Sequence, residues 1–273
     1  MSTNKSDFYV GYMPEAAPAF AKKSRRFVWV LLAIVPLIGL GLAVSQRGFP
    51  PAVFEFGTLT QIEGELVMAP VPLLRTLEEG HIKHILLVGA GKMGAEYTFA
   101  DWEKDNGVSL EGKRLVLNGT RIYHNGKMAL ELTEGVASIM RYSESVPSSS
   151  PNVISLGEVS LKGEILDPKC ALGVMNPAEG KPHRSCAIRC IAGGIPPMLR
   201  ITNNKGETNY ILVKGRDKKE VNTSIIPYVA DQIQICGRLV QQDDWLVLYS
   251  DPASEIQRLA PFIPEGQVAM CGR

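Results

Sequence analysis

The residues of this sequence best suited to chemistry are cysteines and a histidine gathered between positions 167 and 197, in the stretch DPKCALGVMNPAEGKPHRSCAIRCIAGGIPP. Three of the five cysteines, Cys170, Cys186 and Cys190, lie there together with His183. If HRSCAIRC is helical, His183, Cys186 and Cys190 share one helix face. Cys170 would complete the set of ligands from the end of the preceding strand. Three thiolates and an imidazole form a known zinc set, and thiolates also bind Cu(I). The sequence therefore predicts a zinc or copper site formed by these four residues.

Neighbouring residues support a metal site. The thioether of Met175 is a soft ligand that suits copper. Three cationic residues flank the cysteines, Lys181, Arg184 and Arg189. Their charges are expected to lower the pKa of the thiols and to favour the thiolate form that binds metal.

A disulfide is the main alternative, because exported cysteines commonly pair. Cys170 bonded to Cys190 or to Cys186 would staple the segment to the domain that carries it. Because the number of cysteines is odd, at least one stays free or binds a ligand. Spacing does not choose the connectivity, and it leaves the roles of Cys236 and Cys271 open.

Other cofactors fit the sequence poorly. A c-type haem needs C-x-x-C-H, which is absent, and a Rieske cluster needs two histidines with two cysteines, whereas this segment has one histidine. Residues 89–94 match G-x-G-x-x-G after an apolar strand, but too few residues follow for a doubly wound sheet. We interpret them as a glycine-rich connection and expect no NAD.

The sequence also lacks the patterns of common catalytic sites. It shows no nucleophile elbow and no serine, histidine and acid constellation, and without C-x-x-C a thiol oxidoreductase is a weak hypothesis. His81, His84 and His124 are predicted to be polar surface residues. The protein is therefore expected to be non-catalytic.

The cysteine segment also carries a family resemblance. The runs DPKC, HRSCAIRC and GGIPP, followed by the strand-like NYILVKG and YVADQIQICGRLV, resemble an uncharacterised family of exported bacterial OB-like domains. The shared pattern, D-x-x-C, H-x-x-C-A-x-x-C and G-G-x-P, covers about residues 157–250. The resemblance implies an OB-like fold and a site at Cys170, His183, Cys186 and Cys190, but no particular reaction.

The elements that must position these residues form two related halves. GEL at 64–66 matches GEI at 163–165, HILLVG at 84–89 matches YILVKG at 210–215, and residues 113–132 match 231–250. Each half offers strands with alternating apolar residues and a hairpin, with turns at 124–126 and 242–244. We predict a mainly β fold with two small OB-like antiparallel barrels, and a single β-sandwich is the competing fold.

Composition divides the exported part further. The first barrel is predicted at 54–142 and the second at 153–251, joined by a linker rich in proline and serine at 143–152. A tail follows at 252–273. The second half has about 27 additional residues between its first matched strands. They are the Cys/His segment, and functional groups are often carried by such insertions.

Residues 27–45 carry no charge and are long enough to cross a bilayer core of about 30 Å. Lys22, Lys23, Arg25 and Arg26 precede them, so residues 1–26 are predicted to be cytoplasmic and the remainder exported. The predicted location is the bacterial inner membrane, as a single pass with the bulk of the chain in the periplasm. The alternative is a cleaved signal of the twin-arginine type.

Overall charge excludes one class of partner. The net charge is +1 and 21% of residues are charged, so no strong field favours nucleic acid. The predicted function is that of a membrane-anchored periplasmic accessory protein, which holds a metal or serves as a subunit of a membrane redox or respiratory complex. The alternative is a structural or assembly subunit with a disulfide-stapled docking loop and no metal.

Overall fold

The structure is a computed structural model that describes residues 18–45, 52–78, 80–144 and 151–259. The chain divides into two compact units, Met1–Pro50 and Pro51–Arg273, which are considered separately. The first unit contains helix α1, Pro18–Ser45, in which Ala21–Ser45 is long and apolar enough to cross a membrane. Helices of this kind occur in membrane anchors and in signal sequences. Residues 1–17 of the predicted cytoplasmic segment lie outside the described residues.

The first half of the second unit forms a closed barrel. Its elements are β1 Val53–Phe54, β2 Thr60–Val67, β3 Leu73–Glu78, β4 His81–Gly89, α2 Ala95–Asn106, β5 Arg114–His124, β6 Lys127–Leu132 and β7 Ile139–Ser143. Strands β2, β3, β4, β6 and β5 are neighbours in that order, and β5 pairs again with β2 to close the barrel. The β4–β6 pair is parallel and the other pairs are antiparallel. Strands β1 and β7 add to β5 from outside the ring.

The second half repeats this arrangement. Its elements are β8 Val153–Leu166, α3 Gly180–Ala192, β9 Met198–Thr202, β10 Thr208–Lys214, α4 Asn222–Ile225, β11 Gln232–Gln242, β12 Trp245–Tyr249 and β13 Ile256–Arg258. The ring runs β8, β9, β10, β12, β11, and β10–β12 is the parallel pair. The prediction of two OB-like barrels is thus confirmed. Helix α3 is inserted between the first two strands of the second ring.

A glycine occupies the same place in each barrel. A Cβ atom on Gly64 would lie 2.6 Å from the carbonyl oxygen of Arg75, and one on Gly163 would lie 2.2 Å from that of Arg200. Only a residue without a side chain lets the neighbouring strand come this close. The repeated Gly-Glu pair that relates the two halves therefore marks a tight strand approach in both barrels.

The Cys/His segment packs between the barrels. One hydrophobic cluster contains Leu73, Leu86 and Ile122 from the first barrel and Met198, Leu212 and Trp245 from the second, and Cys170, Leu172 and Cys190 of the inserted segment belong to the same cluster. Removal of this shared apolar surface from water holds the segment in place.

The two predicted hairpin turns are present, and each contacts the opposite barrel. The Nδ1 atom of His84 lies 2.8 Å from Oδ1 of Asp244, and the indole of Trp245 donates a hydrogen bond to the carbonyl oxygen of His84 at 2.9 Å. On the other side, Nδ1 of His124 lies 2.9 Å from the Tyr210 hydroxyl. The surface assignment of His84 is therefore wrong: its side chain is buried because the turn of the second barrel covers it.

Candidate metal centre

The four predicted ligands lie on two adjoining elements of the inserted segment. Cys170 begins a π-helical turn, Cys170–Val174, that follows β8. His183, Cys186 and Cys190 lie on α3, so the predicted helix is confirmed. Cys170, His183 and Cys190 are 4%, 1% and 2% exposed, whereas Cys186 is partly exposed. Three of the four predicted donors are therefore buried, and one is accessible.

Their donor atoms form two overlapping groups of three. In each group, all donor atoms lie within 4.8 Å of one another; the groups are Cys170–His183–Cys186 and Asp167–Cys170–Cys190. The sulfurs of Cys170 and Cys186 are 3.8 Å apart. Sulfur, nitrogen and carboxylate donors at this spacing could hold a metal ion. Cys170 belongs to both groups and is their common point.

Asp167 is a site residue that was not predicted. It is fully buried, its Oδ1 accepts a hydrogen bond from the Cys170 peptide N–H at 2.9 Å, and its Oδ2 lies 3.2 Å from Nε2 of His183. A carboxylate beside an imidazole commonly fixes the orientation of a ligating histidine. The available sequence signal was its position three residues before Cys170 in DPKC.

The imidazole of His183 lacks hydrogen bonds of good geometry. Within the described residues, neither ring nitrogen makes a hydrogen bond of good geometry, and neither does Oδ2 of Asp167. Buried polar atoms normally make well-aligned hydrogen bonds, so ring nitrogens and a carboxylate oxygen that lack them beside the sulfurs fit the binding of an ion. Burial acts to lower the pKa of His183, but Asp167 and Cys186 outweigh it and raise that pKa above its ordinary value.

The cation of the cluster comes from the first barrel. Nζ of Lys92 donates a hydrogen bond to Sγ of Cys186 at 3.0 Å and lies 3.7 Å from Sγ of Cys190. The hydrogen bond with Cys186, together with the charges of the thiols, raises the pKa of Lys92 despite its partial burial. Lys181 and Arg184 were predicted to lower the pKa of the thiols, but they form ion pairs with Asp231 instead.

Lys92 reaches the thiols because two glycine motifs join the barrels. Residues 89–94 connect β4 to α2, and the Gly94 N–H donates to the carbonyl oxygen of Gly193 at 2.8 Å. A Cβ atom on Gly193 would lie 2.0 Å from the carbonyl oxygen of Lys92, and one on Gly94 would lie 2.6 Å from that of Gly194. The glycines therefore permit a direct contact between two backbones.

A buried ion pair fixes the same loop. Nζ of Lys169 lies 2.5 Å from Oε1 of Glu131 and donates to the carbonyl oxygen of Gly91 at 2.6 Å. Both charged side chains are more than nine-tenths buried. Since Lys169 directly precedes Cys170, the ion pair ties the π-helical turn to the first barrel.

The buried thiols differ in acidity. A hydrogen bond with Cys190 and burial raise the pKa of Cys170. The same hydrogen bond, donated by Cys170, lowers the pKa of Cys190, and the charge of Lys92 acts in the same direction. Cys190 therefore loses its proton at lower pH than Cys170, and metal binding would have to release the proton of Cys170.

The remaining sulfur residues are less closely involved. Met175 is 41% exposed, although its peptide N–H donates to the carbonyl oxygen of Cys170 at 3.4 Å. Cys236 is an exposed thiol on β11, and Cys271 lies outside the described residues. The four cysteines that the structure describes, at 170, 186, 190 and 236, are unbonded thiols.

Comparison with known proteins adds no relative. No protein-family model matches the chain, and no curated protein is significantly similar to it. The fold and the site therefore define the class directly: a tandem OB-like barrel protein with a Cys/His group, able to hold a metal ion, at the junction of the barrels.

Proposed function

We propose that this protein is a membrane-anchored accessory protein that holds a soft metal ion at Cys170, His183, Cys186 and Cys190. The grouping of Cys170, His183 and Cys186 within 4.8 Å of one another, with Cys190 grouped beside Cys170, carries the proposal. Three cysteines and a histidine are an established tetrahedral zinc set. Cys170, His183 and Cys186 would supply the first three bonds, with Cys190 as the fourth donor.

The surroundings of the donors support this assignment. Both ring nitrogens of His183 and Oδ2 of Asp167 are buried without well-aligned hydrogen bonds in the described part of the chain. An ion at the sulfurs would give the imidazole its missing partner, and Asp167 would hold the ring in position. The buried thiols and the Lys92 ammonium would limit access of water to the ion.

The donor set suits Zn²⁺ and Cu⁺, and the two ions imply different roles. Zinc has no redox chemistry and would stabilise the inserted segment. Cu⁺ would make the protein a holder or donor of copper for a membrane redox complex. Competition of both ions against chelators of known affinity, in the reduced protein, would decide between these roles.

The apolar helix Ala21–Ser45 supports a membrane location. The cationic residues before it favour a cytoplasmic N-terminus and a periplasmic position for both barrels, with a membrane redox or respiratory protein as partner. Purification from membranes in mild detergent tests this partner, because a co-purifying cytochrome or oxidoreductase supports it. A mature N-terminus near residue 46 would contradict the anchor.

Metal analysis of anaerobically purified protein tests the central proposal. We expect about one ion per chain, and a loss of at least about tenfold in occupancy in Cys170→Ser and in Cys186→Ser. Cys236→Ser is the matched control and should keep its metal, because that thiol is exposed on β11. Metal-free reduced protein, or equal occupancy in Cys186→Ser, would overturn the proposal and favour an assembly subunit.

A further inference from the structure

Two thiols of the centre are placed to react with each other. The sulfurs of Cys170 and Cys186 are 3.8 Å apart and belong to different elements, the π-helical turn and α3. A disulfide requires about 2.05 Å between sulfurs, so the pair must approach by about 2 Å. Cys186 and Cys190, by contrast, occupy successive turns of one helix.

Accessibility selects Cys186 as the thiol that meets external reagents. Cys170 and Cys190 are 4% and 2% exposed, whereas Cys186 is partly exposed. Thiol–disulfide exchange requires contact between the attacking sulfur and the disulfide, so access decides which thiol starts the reaction. A direct link between Cys170 and Cys190 has no accessible sulfur at which to begin.

We propose that Cys170 and Cys186 form a reversible disulfide, that this bond and the bound metal exclude each other, and that a dithiol reductant acting at Cys186 restores the centre. The exclusion rests on the proposed metal function. Cys170 is the member shared by both donor groups, so one bond from Cys170 to Cys186 removes two donors from the first group and one from the second.

The chemistry is thiol–disulfide exchange. The Cys186 sulfur attacks an external disulfide, forms a mixed disulfide and releases one external thiolate. The Cys170 thiol then loses its proton, attacks Sγ of Cys186, forms the internal bond and expels the second thiolate. The two protons of the cysteine thiols pass to the released thiolates, so the cysteines lose two electrons and the external disulfide gains them. The dithiol reductant reverses both steps, and its first attack is on Sγ of Cys186.

Oxidised glutathione tests the pairing in the full chain in detergent. In a Cys236→Ser/Cys271→Ser background, the cluster supplies all the remaining cysteines. We expect peptide mass mapping to show one link, Cys170–Cys186, with Cys190 alkylated only after unfolding. Adding Cys190→Ser should leave the link intact, whereas adding Cys170→Ser should leave a stable glutathione adduct on Cys186. A link between Cys186 and Cys190, or no link, would overturn the pairing.

Preloading with Zn²⁺ or Cu⁺ tests the exclusion. We expect loading to slow formation of the link at least about tenfold, and the linked protein to bind neither ion until a dithiol reduces it. If metal binds but does not slow the link, the exclusion fails while the metal function stands. If the link forms but reduced protein binds no ion, the metal function and the exclusion both fail, and the pairing alone is supported.

Discussion

Nζ of Lys92 lies 3.0 Å from Sγ of Cys186, and the two residues come from different barrels. Lys92 belongs to the glycine-rich loop after β4, whereas Cys186 belongs to α3 of the inserted segment. The centre is therefore a product of barrel packing, since neither barrel supplies both the thiols and the cation. Any change in the barrel junction should reach the thiols through this loop.

Replacement of Lys92 should change the acidity of the thiols. The pKa of Cys190 is lowered mainly by the hydrogen bond from Cys170, and Lys92 adds to the effect. In Lys92→Met, thiolate formation in the reduced, metal-free protein should move to higher pH, because a positive charge near the sulfurs is lost. The ultraviolet absorbance of the thiolates against pH measures this shift. Lys104→Met, at an exposed position of α2, should leave the curve unchanged.

Local sequence patterns predicted the thiols and the helix but not the groups around them. His183, Cys186 and Cys190 recur at helical spacing within one segment, so their common helix could be inferred without the fold. Lys92 joins them through the contact of Gly94 with Gly193, which depends on how two barrels pack. Such a contact leaves no periodic pattern in the sequence, and the G-x-G-x-x-G run pointed to a different motif.

The barrels were predictable because the chain repeats itself. Matched segments fixed the strands and both hairpin turns, and helix α2 was not predicted because the first half was divided only into strands and loops. His84 was misplaced for a related reason. It is near the start of β4, and the Asp244 turn that buries it comes from the other half of the repeat.

Asp167 should control the protonation of His183. Burial lowers the pKa of His183, but Asp167 raises it above its ordinary value. A raised native-state pKa stabilises the fold below the unfolded-state pKa, and this stabilisation is lost as pH rises through the native-state pKa. The free energy of unfolding of metal-free protein should therefore fall as pH rises from the ordinary histidine pKa, about 6.5, through the raised native-state pKa.

In Asp167→Asn this fall should be smaller, because the carboxylate no longer stabilises the charged imidazole. Urea unfolding at several pH values, with the full chain in detergent, provides the measurement. Asp101→Asn is the control, since Asp101 is exposed on α2. An identical pH dependence in wild type and Asp167→Asn would show that His183 does not titrate under the influence of Asp167.

Replacing only one partner of the buried Lys169–Glu131 ion pair should strongly lower the free energy of unfolding. Lys169→Met leaves the Glu131 carboxylate buried without its cation, which typically destabilises a protein by about 3–5 kcal/mol. The double variant Lys169→Met/Glu131→Gln removes the uncompensated charge and should recover roughly half of the loss. The carbonyl oxygen of Gly91 would still lack its donor, which limits the recovery. Urea unfolding of the three proteins tests this order, and a double variant no more stable than the single one would contradict it.

Gly193→Ala should disturb the metal centre from outside the ligand set. The added Cβ would lie 2.0 Å from the carbonyl oxygen of Lys92, so the loop must move. Gly193 has φ of −80°, a value that alanine adopts easily, and the effect should therefore come from the contact rather than from the backbone conformation. We expect a loss of about 1–3 kcal/mol in the free energy of unfolding.

In the same Gly193→Ala variant, the pH of thiolate formation should move towards that of Lys92→Met. Ala192→Ser, at the neighbouring exposed position, should match wild type in both measurements. A Gly193→Ala protein with normal stability and normal thiolate formation would show that the close contact of the two glycine motifs does not position Lys92.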